Sequence, residues 1–508
     1  MDSDPFSEVG SACIKKWLKQ CSKHEACQPP KTAFVPTRLL DVGNEVADDQ
    51  RRLRIVLGKA LDEKVSYTAL SYCWGNSPSS RLSAEIARTV QANLAARLGH
   101  VSEETLSQTI RDAITVTRWL GIRYLWVDLL CIVQDDPLDW SKESQVMENI
   151  FHHASLTIAA TSAVSITQGF LRRPRCQRIK LSINSNTEKP DLVLRYPEWL
   201  MHEYIWDNDW RTRGWIFQEQ KLSHRVLHFA RGILYFECAS GFRCEWMEMR
   251  PELSDDDNEW VLQNPFWSPQ CFLGANNPTT FDTWYGDVEW FSMKTLTFPE
   301  DKLPAISGLA RVTAKVVGSR YLAGLWMDDL HIGLLWKAPT SCILRRPPRS
   351  RAPSWSWAAL DGGLEWQTYR SDSDMPLAKI LNVDGVPDPS DPQKRLFTGF
   401  LDLNGCLMKF QDAEDHDILQ NPCGNNGDYR TDSTWYVSDL GVEFTHQSSL
   451  WVLPILLEEM VRGLILEPTS KGNESNEFRR VGWYESEPQR NRVLKSLESQ
   501  NTTSVRIV

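Results

Sequence analysis

RYLWVDLLCIVQDDPLDWSKESQVMENIFHHASLTIAA, residues 123–160, sets a strand, a helix and a second strand in direct succession, with carboxylates at the joints. Tyr124 to Val133 is apolar almost without a break, the pattern of a parallel strand buried on both faces, and Asp128 interrupts it. A charge in that position needs a partner or a task. The strand runs out in Gln134, Asp135 and Asp136. Pro137 then fits the first turn of a helix, where its missing N–H costs nothing, so Asp136 is the expected N-cap.

On that helix, at about 100° per residue, Trp140, Met147, Ile150, Phe151 and Ala154 fall on one side, with Glu143 in its middle. An inward carboxylate is costly unless it meets an arginine, other hydrogen-bond donors or a cavity. Two readings follow: a buried ion pair with a basic residue such as Arg213, or a group lining a catalytic cleft. Glu148 lies at the edge of the face and is expected to reach solvent.

Upstream, SYTALSYCWGN, residues 66–76, alternates like a strand and ends in an aromatic loop. Leu106, Ile110, Ala113, Ile114, Thr117 and Leu120 form a helical stripe closed by Gly121. The order is therefore strand, helix, strand, helix, strand, an α/β arrangement. If the strands are parallel, the loops at 73–76, 134–136 and 161–163 leave the same edge of the sheet. Open α/β sheets bind ligands there, so Trp74, Asn76, Gln134, Asp135 and the Glu143 helix would surround one cleft. Downstream, in DWRTRGWIFQEQKLSHRVLHF (209–229), Arg213, Gln218 and Glu219 either close over that cleft or bond loop carbonyls. The stretch continues into a hairpin turning at Ala230-Arg231-Gly232.

At 508 residues the chain exceeds one ordinary core. It divides into a helical lead-in (1–65), the α/β domain (66–246), an irregular acidic linker (247–280), a mixed α+β aromatic-rich region (281–484) and a charged tail (485–508). The segment 411–434 is expected to be an exposed insertion. A net charge of -10 argues against a nucleic-acid partner, since neutralising phosphates takes clustered Lys and Arg. The polar, acidic start MDSDPFSEVG is unlike a signal peptide, and no apolar run is long enough for a membrane span; a cytoplasmic protein with reduced cysteines is expected. Cys21, His24 and Cys27 have ligand-like spacing, but Cys13 would lie about 12 Å from Cys21 on one helix, leaving no fourth ligand. No metal is assigned. Cys238 and Cys244 flank a turn and carry less weight. Dinucleotide fingerprints, phosphate loops, zinc-protease motifs and nucleophile elbows are missing.

Three blocks, YTALSYCWG, RYLWVDLLCIVQDDPLDWSKESQVMENIFHHA and RGWIFQEQKLSHRVLHF, resemble in order and spacing the signature blocks of the fungal heterokaryon-incompatibility (HET) domain. WLKQCSKHEAC followed by PTRLLDV resembles the lead-in of such proteins, and YLAGLW, APSWSWA and RRVGWY their C-terminal region. The resemblance implies a role in fungal self/non-self recognition, in which such proteins trigger growth arrest and cell death. It also implies a TIR-like or flavodoxin-like, mostly parallel sheet. Enzymatic TIR domains cleave NAD at the nicotinamide–ribose bond with a glutamate on a helix shortly after a tryptophan. Trp140 and Glu143 occupy a comparable position, one residue closer together than is usual. NAD is then a substrate, not a cofactor. Glu143 is the catalytic group, Trp74 or Trp140 stacks on a base, and Asp128 or Asp135 positions ribose hydroxyls, with Asn76, Gln134 and Arg213 beside them. The competing reading is a non-enzymatic adaptor that assembles with itself or with an incompatibility partner protein through its HET-domain surfaces. A metal-dependent hydrolase built on Asp135 and Asp136 would need more oxygen ligands than the loop offers.

Overall fold

The computed structural model describes residues 4–28, 32–43, 53–172, 179–181, 192–194, 208–248, 280–339, 342–366, 374–387, 396–410, 428–430, 434–440, 450–469, 476–486 and 502–508. The chain forms two compact units, Met1–Pro278 and Thr279–Val508.

The first unit is built on eight strands: β1 (Arg38–Asp41), β2 (Arg54–Leu57), β3 (Tyr67–Ser71), β4 (Tyr124–Trp126), β5 (Leu156–Ala159), β8 (Arg225–Ala230), β9 (Ile233–Cys238) and β10 (Gly241–Cys244). A separate pair, β6 (Ile179–Leu181) and β7 (Leu192–Leu194), stands outside that sheet. The sheet order is β10-β9-β8-β5-β3-β4-β1-β2. Its middle, β4-β3-β5-β8, is parallel, and antiparallel strands close both edges. In chain order the parallel strands lie 2-1-3-4. Every residue of β3 and of β5 is buried, as strands covered on both faces must be.

The helices are α1 (Glu8–Cys21), α2 (Pro78–Ala87), α3 (Gln91–Gly99), α4 (Gln108–Trp119), the single turn α5 (Asp128–Cys131), α6 (Pro137–His153), α7 (Gly214–Leu222) and the short α8 (Glu245–Glu248). Side chains alternate across β3. Leu70 joins the core with Ile14 and Trp17 of α1 and Ile110 and Ile114 of α4. On the opposite face the Tyr67 hydroxyl donates to the Ile150 carbonyl of α6 at 2.7 Å, and the Ser71 hydroxyl to Glu219 of α7. The result is helix, sheet, helix in three layers.

Several local expectations hold. Asp136 caps α6, accepting from the backbone N–H groups of Leu138 and Asp139, with Pro137 in the first turn. Gly121 follows the end of α4 at φ 71°. Others are corrected. The strand expected to reach Val133 ends at Trp126, because Asp128 opens a helical turn that turns Leu129, Leu130 and Cys131 into the core. Glu148 is buried, not solvent-facing.

The second unit carries helices at Phe281–Ser292 and Ser307–Val317 and a ten-stranded sheet. Along the main path of that sheet lie Met375–Pro376, Trp451–Leu457, Val461–Pro468, Glu477–Ser486, Thr503–Ile507, Phe397–Gly405 and Lys379–Pro387. Trp284, Trp326, Trp336, Trp355 and Trp357 are fully buried in this unit. Residues 485–508, expected as a charged tail, include an interior strand: Thr503–Ile507 is paired on both sides. The expected linker at 247–280 and insertion at 411–434 lie largely outside the described residues.

Candidate active site at the carboxyl ends of the parallel strands

Chain direction brings the ends of β3 and β4 together. Beyond Ser71 the chain passes through Tyr72, Cys73 and Trp74 and turns at Gly75, which takes φ +81°. A β-carbon there would stand 2.5 Å from Cβ of Ser165 and 2.9 Å from Oγ of Ser80, so glycine is required twice over. The neighbouring strand delivers Asp128 to the same edge. Its carboxylate accepts from the Tyr72 hydroxyl at 2.8 Å, the Trp74 indole N–H at 3.0 Å and the Leu129 backbone N–H at 2.6 Å.

Glu219 approaches from α7 and receives the Ser71 hydroxyl; the Trp210 indole N–H reaches the same hydroxyl oxygen at 3.1 Å. Burial pushes the Glu219 carboxyl up to about 8, with the nearby Asp128 charge adding to the rise, while the Ser71 hydrogen bond and the Arg213 charge oppose it. Burial likewise raises Asp128, against the hydrogen bonds from Tyr72, Leu129 and Trp74 and the charge of Arg213. Burial holds the Cys73 thiol at about 12, so it remains protonated and unreactive. The arrangement is two interacting carboxyl groups under one arginine, flanked by a phenol and a half-buried indole. Perturbed pairs of this kind mark acid–base sites.

Of the residues singled out from sequence, Trp74, Asp128 and Arg213 meet here. Gln134 supports them from behind, donating from its side chain to the Asp128 carbonyl at 2.9 Å. Asn76 is exposed just before α2. Asp135 is exposed and accepts from the Gln91 backbone N–H at 2.9 Å, where α3 begins. Trp140 packs edge-on against Trp215.

Glu143 has no exposed surface. Its Oε1 faces Arg38 of β1 at 3.5 Å, and the same guanidinium holds Asp139 and donates to the Cys131 carbonyl. The partner of Glu143 is thus Arg38; Arg213, expected to fill that role, places its charge beside Asp128 and Glu219. Burial raises the Glu143 pKa, opposed by Thr37 and Arg38. Its second carboxylate oxygen has no hydrogen-bond partner among the described residues. Sequence raised Glu219 only within a polar set on α7 and missed Ser71 and Tyr72. The local signal was weak, because Glu219 lies between Gln218 and Gln220 in a polar stretch that follows the apolar run Gly214–Phe217.

Two further clusters lie in this unit. Glu237 of β9 accepts from His228 at 3.0 Å, Arg211 at 3.0 Å and the Gln220 amide at 2.7 Å. Burial works to raise its pKa, but those partners outweigh it and bring the carboxylate down to about 2. Cys21, His24, Cys27 and Cys238 set their ligand atoms within 4.8 Å of one another. The fourth member is Cys238 of β9, which local spacing had discounted.

The first unit is therefore an α/β domain with a carboxyl pair at the carboxyl ends of its parallel strands. Residues 67–219, from the first residue of β3 to Glu219 itself, match the family model described as heterokaryon incompatibility protein (HET). The chain is a HET-domain protein, and that domain links it to heterokaryon incompatibility. Neither the curated proteins nor the solved structures contain a match to it. Among the described residues no helix is long and apolar enough to cross a membrane.

Proposed function

We propose that this HET-domain protein triggers incompatibility-type cell death, and that the domain does so by hydrolysing NAD at the nicotinamide–ribose bond beside Asp128 and Glu219. The observation that carries the reading is the carboxyl pair: Glu219 keeps its proton at neutral pH, while three donors support the charge on Asp128. The 2-1-3-4 order of the parallel strands agrees with the flavodoxin-like order of TIR-type domains.

Cleavage sends the C1′–N electron pair out with nicotinamide and leaves oxocarbenium character on the ribose. The Asp128 carboxylate stabilises that charge and takes the proton of the water whose oxygen bonds C1′. Protonated Glu219 donates to a ribose hydroxyl, Trp74 stacks on a base, and Arg213 faces the pyrophosphate. Glu143 serves in this reading as an ion-pair partner of Arg38.

The test is NAD consumption by purified protein, artificially clustered, for wild type, Asp128→Asn, Glu219→Gln and Glu143→Gln, each checked for folding. Turnover that drops at least about 100-fold in Asp128→Asn and Glu219→Gln but persists in Glu143→Gln supports the assignment. Loss in Glu143→Gln alone would return the chemistry to that residue. One observation favours the adaptor reading: both carboxylates already receive donors from the chain itself. If the clustered wild type consumes no NAD, the adaptor is the function and the carboxyl pair belongs to a structural network.

A further inference from the structure

The cluster at the end of α1 shares no residue with the Asp128–Glu219 site. Cys21 is the last residue of α1, His24 precedes a single 3-10 turn, and Cys27 ends that turn. Cys238 arrives from the end of β9, where the strand turns into β10. His24 presents Nδ1 to two sulfurs, 3.7 Å from Sγ of Cys27 and 3.6 Å from Sγ of Cys238. Zinc holds sulfur at about 2.3 Å and nitrogen at about 2.0–2.1 Å, so the edges of its tetrahedron are about 3.6–3.8 Å long. The two nitrogen–sulfur separations match those edges, and all four ligand atoms lie within 4.8 Å of one another. Cys13, also buried on α1, is not part of the group.

From this geometry we infer that Cys21, His24, Cys27 and Cys238 bind one zinc ion in a closed Cys3His site. The surroundings suit the charge. Three thiolates and a neutral imidazole around Zn²⁺ carry one net negative charge, and Arg225 supplies the compensating cation, its Nε 3.2 Å from Sγ of Cys21. The same guanidinium donates to the Cys27 carbonyl at 2.8 Å, and the Ser240 hydroxyl lies 3.7 Å from Sγ of Cys27. Four protein ligands leave no open position for water or substrate, so the site is structural. A cavity of about 270 Å³ lined by Trp17, Lys23, His24, Phe236, Cys238 and Arg243 borders it and gives the ion a way in. Bound there, zinc pins the lead-in to β9. Through Arg225 it also pins the start of β8, six residues after Glu219. Nothing in this assignment depends on NAD chemistry.

The experiment is elemental analysis of the full-length protein purified under reducing, chelator-free conditions. About one zinc per chain is expected, released when the thiols are titrated with a mercurial, with a fall in Tm on removal. Replacement by Co²⁺ should give the thiolate charge-transfer and intense visible bands of a tetrahedral sulfur-rich site. Cys238→Ser should lose the metal, while Cys342→Ser, in the other unit, should keep it. Because Cys238→Ser can also unfold, the cobalt spectrum and stoichiometry of wild type decide independently. Folded wild type that takes up no zinc when offered it, or that shows a disulfide among Cys21, Cys27 and Cys238, overturns the inference.

Discussion

Glu219 and Glu237 are buried glutamates of one domain whose surroundings drive them in opposite directions. Glu219 has a hydroxyl donor and a carboxylate neighbour, so burial prevails and its pKa rises to about 8. Glu237 has a histidine, an arginine and an amide, and they bring it to about 2. The folded state therefore holds the Glu219 proton more tightly than the unfolded chain does. Its contribution to stability is complete below the ordinary carboxyl value of 4.5 and is lost as pH rises toward about 8. For Glu237 the sign reverses: its contribution is present above 4.5 and is lost as pH falls toward about 2. Burial lowers the pKa of His224 and His228, which works the other way in that range, so the Glu219 part is read by difference: in denaturant unfolding the stability of wild type relative to Glu219→Gln should decline from pH 5 to pH 8. An equal slope in both proteins would remove Glu219 as its source. These environments were not legible in the sequence. The inward carboxylate on α6 could be read from helical spacing, but its partner, Arg38, lies more than a hundred residues upstream. Pattern shows that a charge points inward; only the tertiary fold shows what it meets.

Elements fared better where the signal was local. The cap at Asp136, the stop at Gly121 and the hairpin β8-β9 each rest on residues within a few positions of one another, and each forms. The apolar run from Tyr124 was harder: a buried strand and a buried helical turn share one composition, and Asp128 marks where the first becomes the second. Cys238 is discounted by spacing because a ligand brought in by sheet pairing leaves no trace around Cys21. The loop at the end of β3 gives the sharpest test at this scale. Gly75 combines φ +81° with a backbone pressed against Ser165. Gly75→Ala should cost roughly 1–3 kcal/mol in denaturant unfolding. The loop carrying Trp74 should shift, changing the indole fluorescence. A neutral substitution would show that the loop tolerates another course.

At the scale of the molecule, the two units differ in how far apart in sequence their partners lie. In the first, the parallel strands follow one another through helical crossovers, and the sheet is complete by Cys244. In the second, Thr503–Ile507 pairs antiparallel with Phe397–Gly405 and parallel with the start of Glu477–Ser486, and Arg506 grips Asp402 at 2.7 Å. Removing residues 502–508 should leave hydrogen-exchange protection in β3 and β5 intact and lower it in Phe397–Gly405, which keeps only Lys379–Pro387 as a strand neighbour among the described residues; unchanged protection there would mean the strand is dispensable. The interior place of that strand also sets a timetable for synthesis. After Cys244 has been translated, roughly 260 further residues must be added to reach Thr503–Ile507, on the order of tens of seconds. Through that interval the first unit has every strand of its sheet, while its companion still waits for the segment that joins its two halves. A nascent chain of this protein can therefore possess its carboxyl pair well before it possesses its second unit.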